Sequence, residues 1–538
     1  MGIRSKPPKN IGMIFEHYAD AKRPGFHLDR PFDIAPDGGI TYSARDLANL
    51  VRTTSAALYA AGLRPGNRLA IIKENHFDVV LLAAAAARIG ALPAMISSTI
   101  EPESLRKMMD RLKPSVLVAA PAVLLAAAEV GCDLTEPGVV VIATGRGPQI
   151  TGSSTFEDFR GAEIPPASPR PSHEPMISTH TSGTTGVPKL VVHSADTLLG
   201  VLGKLETLRI PFLSTRRDDV IASSIAFVHG RAITWAMAQL VLPPAKVVII
   251  SDSSPHNAIA SLSLNPPTTL EACPNIFQRW EGLTATHPHL FAGVRAYINT
   301  FDAIHPSTVR KFQEASRRRA VVWGQVWGQS EVGPVSMGIY TRGMIRRACG
   351  GNRAVTNTVG WPIPLVTRVR VFDPQIRRPV RRGKAGLVTV KTKGRCLAYI
   401  GEDDRYTEKV WDGWWNTGDI GLQSRLGRIR IIDREVDIIP GMSGIELESL
   451  LLERLDSATE VIVLGVPGRD PLPVISTADG ALGQEAWKKA TEHLPPLSDP
   501  VLIDWEDFPR TGTWKVRRYT LRERLLSTTD TFGTGRWT

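Results

Sequence analysis

Apolar and polar positions along the first 120 residues follow a pattern that is typical of strands separated by helices. An amphipathic pattern over residues 40–62 begins at a Ser43 helix cap and closes at Gly62. The elements that follow are a strand at 68–72, a buried helix at 77–89, a strand at 90–96, a helix at 103–112 and a strand at 115–119. This alternation predicts right-handed βαβ units around a mainly parallel sheet.

The same alternation continues in the middle of the chain. Residues 145–175 are rich in Pro, Ser and Gly and predict a surface linker. Beyond it, the pattern predicts a strand at 220–227, an apolar helix from Ala232 and a strand at 245–250, and similar runs continue to Val322. The first two thirds of the chain therefore favour one large α/β domain.

The last third has a different pattern. Short strands at 369–372, 387–390 and 429–432 are separated by turn signals, so residues 359–432 predict a β-rich subdomain. After it, a helix at 444–455, a strand at 461–465 and a helix at 484–494 predict a compact α+β unit. The expected architecture is a large domain at 1–433, built of mainly parallel sheets with helices plus the β-rich subdomain, and a small mobile C-terminal domain at 434–538.

Composition indicates an ordinary globular protein of more than one domain, since the 538 residues are 43% hydrophobic and 22% charged. The four cysteines lie far apart without metal-ligand spacing, which fits a reducing compartment. The most apolar window, 79–87, is short and stopped by Arg88, so it predicts a buried helix and no membrane span. The first ten residues lack the apolar core of a secretory signal, and a cytoplasmic location is expected.

A net charge of +11 raises the question of a nucleic-acid partner. The basic residues cluster only locally and without interleaved aromatic residues; the clusters are 317–319, 377–378, 381–382 and 517–518. A solvated arginine-rich surface is the favoured interpretation, and no nucleic-acid partner is expected. A polyanionic nucleotide or an acidic partner is also compatible with this charge.

The densest chemical signal is the run T-S-G-T-T-G-V-P-K. It consists of Thr181, Ser182, Gly183, Thr184, Thr185, Gly186, Val187, Pro188 and Lys189. The two glycines let the backbone approach a ligand, the hydroxyls and successive N–H groups suit an anion, and the lysine adds a point charge. The Walker pattern is absent. A flexible surface loop is the alternative, but the composition favours a phosphate-binding loop.

Other candidate residues are ambiguous when each is taken alone. His229 by itself suggests a packed or hydrogen-bonded histidine. The run W-G-Q-S-E, residues 327–331, suggests a turn whose glutamate faces solvent. Asp419 could accept from two neighbouring hydroxyls, and Lys515 belongs to a basic run that is ordinarily solvated.

Together and in this order, from about residue 11 to about residue 524, these motifs resemble the acyl-adenylate-forming superfamily. That superfamily contains AMP-forming acyl- and aryl-CoA ligases, adenylation domains of peptide synthetases and beetle luciferases. The resemblance implies that a carboxylate attacks the α-phosphate of MgATP, giving an acyl-adenylate and pyrophosphate. A second nucleophile, usually a thiol, then takes the acyl group. The implied cofactors are ATP and Mg²⁺, with CoA or a carrier-protein phosphopantetheine as possible acceptors.

The segment 327–331 resembles the superfamily's Tyr-Gly-x-Thr-Glu motif. The resemblance implies that Glu331 holds Mg²⁺, that Ser330 contacts a phosphate oxygen and that Trp327 packs near the adenine. Gly328 and Gln329 complete this part of the nucleotide site.

Four further residues take roles from the same resemblance. His229, in F-V-H-G, corresponds to the histidine at the acid pocket. Asp419, in the Thr-Gly-Asp signature, would accept from the ribose hydroxyls, with Arg434 nearby. Lys515, in P-R-T-G-T-W-K, would bridge the substrate anion and the α-phosphate. The expected catalytic residues are Lys515, Glu331 and His229.

The expected substrate pocket departs from the superfamily at one segment. The glycine-rich segment that borders the acid is replaced here by N-T-F-D-A-I-H-P, and Phe301 adds bulk. Asp302 could receive an amine or polar group of the substrate, or equally face water or cap the helix near Pro306. The expected pocket residues are Phe227, His229, Phe301, Asp302 and Val326, whose aromatic lining favours an aryl or short acyl acid.

Two further departures concern the second half-reaction. Val436 stands where the superfamily has Asp or Lys, and the loop at 439–444 is about four residues shorter than usual. In the superfamily this loop lines the thiol tunnel, so a short loop leaves thioester formation open. Trp514 replaces the glycine before Lys515 and is expected to pack against the large domain.

The sequence thus predicts an AMP-forming ligase that activates a small-molecule acid and transfers it to CoA or to an acyl carrier protein. One alternative is delivery to an amine, as in an amide ligase or in an ATP-driven diazotase that takes nitrite plus an amine. An alternative of another class is a non-catalytic nucleotide-binding protein on the same fold.

Overall fold

The structure is a computed structural model. It describes residues 10–181, 187–348, 355–435, 439, 443–466 and 469–526.

A seven-stranded sheet forms the first layer. In spatial order its strands are Ala398–Tyr399, Leu190–Ser194, Pro175–His180, Leu92–Ser97, Arg68–Lys73, Val116–Ala119 and Val140–Ala143. The five strands from Pro175–His180 onward run parallel, and Leu190–Ser194 is antiparallel to its neighbours. The parallel part is the βαβ arrangement that the alternating pattern predicts.

A nine-stranded sheet forms the second layer. Its strands, in spatial order, are Trp361–Pro362, Gly333–Thr341, Val322–Gln329, Ala296–Asn299, Thr269–Ala272, Val220–Ser224, Lys246–Ile249, Gly25–Leu28 and Thr41–Tyr42. The centre is parallel, and antiparallel strands close both edges.

Two smaller sheets follow. The first is antiparallel and consists of Thr367–Phe372, Ala385–Thr392, Trp414–Gln423, Val410–Trp411 and Ile429–Arg434. The second consists of Ala458–Leu464, Leu472–Thr477 and Val501–Leu502. The α/β fold with a β-rich region is confirmed. The boundary expected near residue 433 stays a prediction.

Helices cover the sheets. The α-helices are Ile11–His17, Ala44–Ala60, Asp78–Ile89, Pro102–Leu112, Pro121–Glu129, Ala195–Thr197, Lys204–Glu206, Gly230–Val241, Pro255–Leu264, Pro274–Arg279, Glu281–Thr286, Pro306–Ala315, Arg342–Ala348, Asp403–Glu408, Gly444–Arg454, Gln484–Thr491 and Arg518–Leu526. Short 3₁₀ helices are Glu157–Phe159, Pro288–Phe291, Val355–Asn357 and Trp505–Asp507, and Leu198–Gly203 is π-helical. No helix in the described part of the chain is long and apolar enough to cross a membrane.

The core is centred on the helix Asp78–Ile89, whose twelve residues are all buried. Alanines dominate this helix, so neighbouring elements can approach its axis closely. It packs against Ile11–His17 and Ala44–Ala60. Its apolar cluster includes Ile71 of the seven-stranded sheet and Ile221 of the nine-stranded sheet. The two large sheets are therefore joined by one continuous core.

Local signals fixed most element boundaries within a few residues. The helix Ala44–Ala60 begins at Ser43 with a complete capping box, as its sequence predicts. The strand expected at 220–227 ends earlier, at Ser224. The reason is a long-range contact, because Asn75 donates to Ile225 O at 2.8 Å and accepts from Phe227 N at 2.7 Å.

A buried ion cluster stabilises the N-terminal part of the core. Lys73 is fully buried and pairs with Asp33 and, at 2.6 Å, with Asp78. Together the two carboxylates compensate for the desolvation of the ammonium group.

We expect Lys73→Met to lower the free energy of unfolding by about 3 kcal/mol, because it leaves the fully buried Asp78 carboxylate without its lysine partner and Asp33 paired with Arg30 alone. Urea denaturation measures this change. Arg45→Met is the matched control, since Arg45 pairs with Asp20 on an exposed surface and its loss should cost less than about 1 kcal/mol. Equal effects of the two substitutions would contradict the expectation.

Candidate active site

One cavity gathers most of the candidate residues that lie in the described part of the chain. The candidate residues that line it are Thr181, Lys189, His229, Phe301, Val326, Gly328, Gln329, Ser330, Glu331, Arg434 and Lys515. Ser182, Gly183, Thr184, Thr185 and Gly186 lie outside the described residues. The cavity is therefore assembled from segments more than 300 residues apart in the chain.

The two ends of the T-S-G-T-T-G-V-P-K run are fixed to each other. Thr181 N donates to Lys189 O at 3.0 Å, and Lys189 N donates to Thr181 Oγ1 at 3.2 Å. The flanking strands Pro175–His180 and Leu190–Ser194 are antiparallel partners. This pairing holds Thr181 and Lys189 side by side at the cavity wall.

Glu331 and Lys189 meet around one aromatic ring. Tyr399 donates its hydroxyl to Glu331 Oε1 at 2.7 Å, and Lys189 Nζ lies 5.0 Å from the centre of the Tyr399 ring. Burial lowers the pKa of Lys189, and the carboxylate of Glu331 opposes that shift. Because Glu331 is itself buried, its second oxygen is a suitable hard ligand for a cation in the cavity.

His229 is held in a defined tautomer at the start of the helix Gly230–Val241. Its Nδ1 accepts from Arg231 N at 3.1 Å, so Nε2 carries the proton and donates to Ser330 Oγ at 3.0 Å. Burial, followed by neighbouring cationic groups that include Lys515, lowers the pKa of His229 to about 3. The imidazole is therefore neutral near pH 7, and it adds no charge to the cavity.

Phe301 contacts His229, and both residues line the cavity. The two rings pack edge to face with their centres 4.9 Å apart. Phe301 has a φ of +81°, a left-handed conformation that is unfavourable for a bulky residue. Such local strain is common at functional sites, where the surrounding contacts hold it in place.

Asp419 lies behind the cavity wall and is oriented by two partners. Arg434 NH1 lies 3.1 Å from one carboxylate oxygen, and Gln329 Nε2 donates to the other at 3.1 Å. Asp419 is buried, while Arg434 is half exposed. These contacts connect the β-rich region to the strand Val322–Gln329.

Lys515 reaches the cavity from a tight loop of the C-terminal region. Thr511 N donates to Lys515 O at 2.8 Å, and Lys515 N donates to Thr511 Oγ1 at 3.2 Å. A Cβ on Gly512 would lie 2.2 Å from Ser97 Oγ, so glycine is needed where this loop touches the seven-stranded sheet. Arg517 adds a hydrogen bond to Thr99 O at 2.7 Å.

Besides Asp419, three predicted site residues do not reach the cavity wall. Phe227 is fully buried and packs edge to face on Phe77 at 5.7 Å. Asp302 is exposed, and its carboxylate accepts from Ala303 N at 3.0 Å. Trp327 packs into the apolar cluster of the β-rich region. The alternation of side chains along a strand places Trp327 on the opposite face from its neighbour Val326.

The structure adds charged residues that sequence reasoning did not single out. Arg231, Glu206, Arg405 and Lys409 all line the cavity. None of them belongs to a short motif, and their positions depend on long-range packing. The one local signal for any of them was closeness in sequence to a candidate residue, since Arg231 follows His229 by two residues.

The comparisons with known proteins agree with this geometry. A family model described as AMP-binding enzyme matches residues 21–400. The chain is 36% identical over 534 residues to the 3-amino-2-hydroxy-4-methoxybenzoate diazotase of Streptomyces cremeus, and the match covers 94% of each chain. It is 24% identical over 457 residues to 4-coumarate–CoA ligase 5 of Oryza sativa subsp. japonica, with 84% of this chain and 81% of the relative covered. The solved anthranilate CoA ligase AuaEII, in complex with anthranoyl-AMP, is similar in fold with a TM-score of 0.80 at 18% identity, covering 98% of this chain and 99% of that one.

The chain belongs to the AMP-binding enzyme family and is an AMP-forming ligase. Enzymes of this family use ATP with Mg²⁺, and the donor set fits both. Five cationic side chains suit a polyphosphate; they are Lys189, Arg405, Lys409, Arg434 and Lys515. Glu331 is a buried carboxylate on the cavity wall, and Mg²⁺ would be held by it together with phosphate oxygens.

His229 generates a testable pH dependence. Its pKa is about 3 in the folded chain against an ordinary value of 6.5, so acid protonates the unfolded state first, and stability is lost as the pH falls from 6.5 toward 3. Between roughly pH 7 and pH 5 this loss is about 2 kcal/mol. We expect His229→Gln to show a correspondingly smaller decrease in unfolding free energy over that interval, measured by urea denaturation. An unchanged decrease would contradict the assignment.

Lys515 generates a second prediction. We expect Lys515→Ala to slow ATP-dependent pyrophosphate release by about 10²–10³-fold, because a positive charge opposite the developing oxyanion is lost. ATP binding, measured by calorimetry, should change far less, since five other cationic residues of the described chain line the cavity. Lys488→Ala is the control, because Lys488 is exposed on a distant helix. A weakened ATP affinity that alone explains the slower rate would contradict this role.

Proposed function

We propose that this chain is a diazotase, which uses ATP to adenylate nitrite and then transfers the nitrosyl group to an aromatic amine. The observation that carries the proposal is the higher and more complete identity with a relative named as a diazotase than with the CoA ligase relative. The motifs alone favour thioester formation over diazotisation. The comparison with the relatives supports diazotisation instead.

The first step forms a bond between a nitrite oxygen and the α-phosphorus of ATP. The bond to the bridging oxygen of the β-phosphate breaks, and pyrophosphate leaves with its electrons. In the second step the amine nitrogen attacks the nitrosyl nitrogen, AMP leaves and the amine loses a proton. The resulting N-nitroso compound rearranges to a diazohydroxide, which loses hydroxide to give a diazonium ion. Both steps are redox-neutral, so no other reactant is needed.

The cavity suits the approach of one anion to another. Nitrite and the α-phosphate repel each other, and positive charge at the point of attack offsets that repulsion. In this proposal Lys515 bridges the two anions, Lys189 and Ser330 bind phosphate oxygens, and Asp419 with Arg434 binds the ribose. Mg²⁺ held at Glu331 would neutralise charge on the phosphates.

The neutral state of His229 fits the same chemistry. Because burial lowers its pKa to about 3, the imidazole is neutral. It therefore does not compete with Lys515 for the nitrite anion. Its Nε2–H already donates to Ser330 Oγ, so His229 orients a phosphate-binding hydroxyl. We therefore assign it a positioning role in the first step.

Acid activation followed by thioester formation is the second candidate. The same cation arrangement would accept a carboxylate in place of nitrite, and the CoA ligase relative supports this option. The acceptor would then be CoA or the phosphopantetheine of an acyl carrier protein. Val436 and residues 440–442 of the loop at 439–444, which bear on the thiol tunnel, lie outside the described residues.

We expect nitrite to stimulate Mg²⁺-dependent release of pyrophosphate from ATP, with one AMP formed for each pyrophosphate. Addition of aminobenzoates should then give a diazonium ion, which a naphthol converts into a coloured azo compound. The assay is run above neutral pH. A control without ATP measures spontaneous nitrosation, and its signal is subtracted.

A panel of aryl and short acyl carboxylates with CoA tests the second candidate in the same assay. Pyrophosphate release that depends on a carboxylate and not on nitrite, with a CoA thioester as product, would overturn the diazotase proposal.

A further inference from the structure

An ion triad closes one wall of the cavity and is not used by the phosphate chemistry. Arg231 NH1 lies 2.5 Å from Glu206 Oε1, and its NH2 pairs with Glu271. The side chains of Arg231 and Glu206 are 12% and 20% exposed, whereas that of Glu271 is 3% exposed. Arg231 and Glu206 line the cavity, and Glu271 does not.

Helical spacing places Glu206 at the end of an apolar stripe. Leu198, Leu202 and Glu206 are each four residues apart, and they lie on the consecutive segments Leu198–Gly203 and Lys204–Glu206. All three line the cavity. This spacing brings side chains onto one helix face, and a π-helical segment is often associated with a functional site. The face forms an apolar wall that ends in a carboxylate.

Two further apolar side chains line the same cavity. They are Phe301 and Val326, and the Phe301 ring is held by its edge-to-face contact with His229. Apolar side chains together with a small number of polar groups form a common ligand-binding arrangement.

The charge balance of the triad leaves Glu206 as a hydrogen-bond acceptor. Burial opposes the charge of Arg231, but the two carboxylates outweigh it and raise the pKa of that guanidinium. One cation thus faces two carboxylates, and Arg231 has no charge left over for a substrate anion. An ionised carboxylate can only accept hydrogen bonds. In the part of the chain that the structure describes, Arg231 is the partner of Glu206, and Arg231 is in turn anchored by Glu271.

We propose that Glu206 is a specificity-determining residue, which accepts a hydrogen bond from an amino or hydroxyl group on the ring of the aromatic substrate. The site therefore selects rings that carry such a donor over rings that carry a methyl group of the same size. This inference rests on the proposed function for the identity of the ring as an arylamine.

Calorimetry of the enzyme with the three isomeric aminobenzoates, the hydroxybenzoates and the methylbenzoates tests the inference without nitrite or turnover. We expect the best donor-bearing isomer to bind at least about tenfold more tightly than its methyl counterpart, because a hydrogen bond to a charged acceptor is stronger than a neutral one. Equal affinities in the unmodified enzyme would overturn the proposal before any variant is made.

Two conservative variants then separate the two carboxylates near the pocket. Glu206→Gln should reduce the preference for a donor over a methyl group by about tenfold. Asp302→Asn should keep the preference, because Asp302 is exposed and does not line the cavity. Loss of the preference in Asp302→Asn but not in Glu206→Gln would assign the acceptor to Asp302 and refute the inference.

Thermal unfolding checks that each variant is folded. If Glu206→Gln does not fold, Glu206→Asp keeps the charge beside Arg231 but withdraws the acceptor by one methylene. It should then reduce the same preference, and an unchanged preference in this variant would also refute the inference. Nitrite-dependent pyrophosphate release without any amine reports on the proposed function separately, so the two proposals can fail independently.

Discussion

The concentration of positive charge around one cavity is the constraint on which the rest of this structure depends. Two anions must meet there, and the six cationic side chains of the described residues that line it come from five different regions of the chain. Like charges at this density repel, so each must be held by packing or by a counter-charge. Lys189 lies over the Tyr399 ring near Glu331, and Arg405 pairs with Glu402. The carboxylates of this region therefore maintain an arrangement of cations that an anionic ligand completes.

The fold brings the charged and polar groups of the cavity together at neighbouring edges of the two large sheets. Thr181 and Lys189 are positioned by an antiparallel pair in one large sheet, and Ser330 with Glu331 by a hairpin in the other. His193 crosses between the two, since its Nε2 donates to Ser330 O at 2.7 Å. Because a single buried core joins the two sheets, the groups on one sheet keep a fixed separation from those on the other. Such preorganisation is what electrostatic stabilisation of a transition state requires.

Local chemistry in the sequence was enough to predict most of the elements and to select motif residues, several of which line the cavity. Periodicity, a capping box and the glycine-rich run depend on near neighbours, so they can be read along the chain. The ion triad could not be predicted, because Glu206, Arg231 and Glu271 meet only after three separate helices and strands have packed. The same reason explains why Asp302, which has suitable chemistry, faces solvent while Glu206 occupies the cavity wall. Phe227 was misplaced because Asn75 ends its strand early, and that contact spans about 150 residues.

Trp514 connects the loop that carries Lys515 to the rest of the structure. Its φ of +64° is unfavourable for a large side chain by roughly 1–2 kcal/mol, so other contacts must offset that cost. The Trp514 ring stacks on Trp505 with centres 5.8 Å apart, and Arg279 of the nine-stranded sheet's helical layer lies over both rings. Arg279 also pairs with Glu506 at 3.0 Å. The residue next to Lys515 is thus held against the helix Pro274–Arg279 by a stacked cation, and Arg279 does not add its charge to the cavity lining.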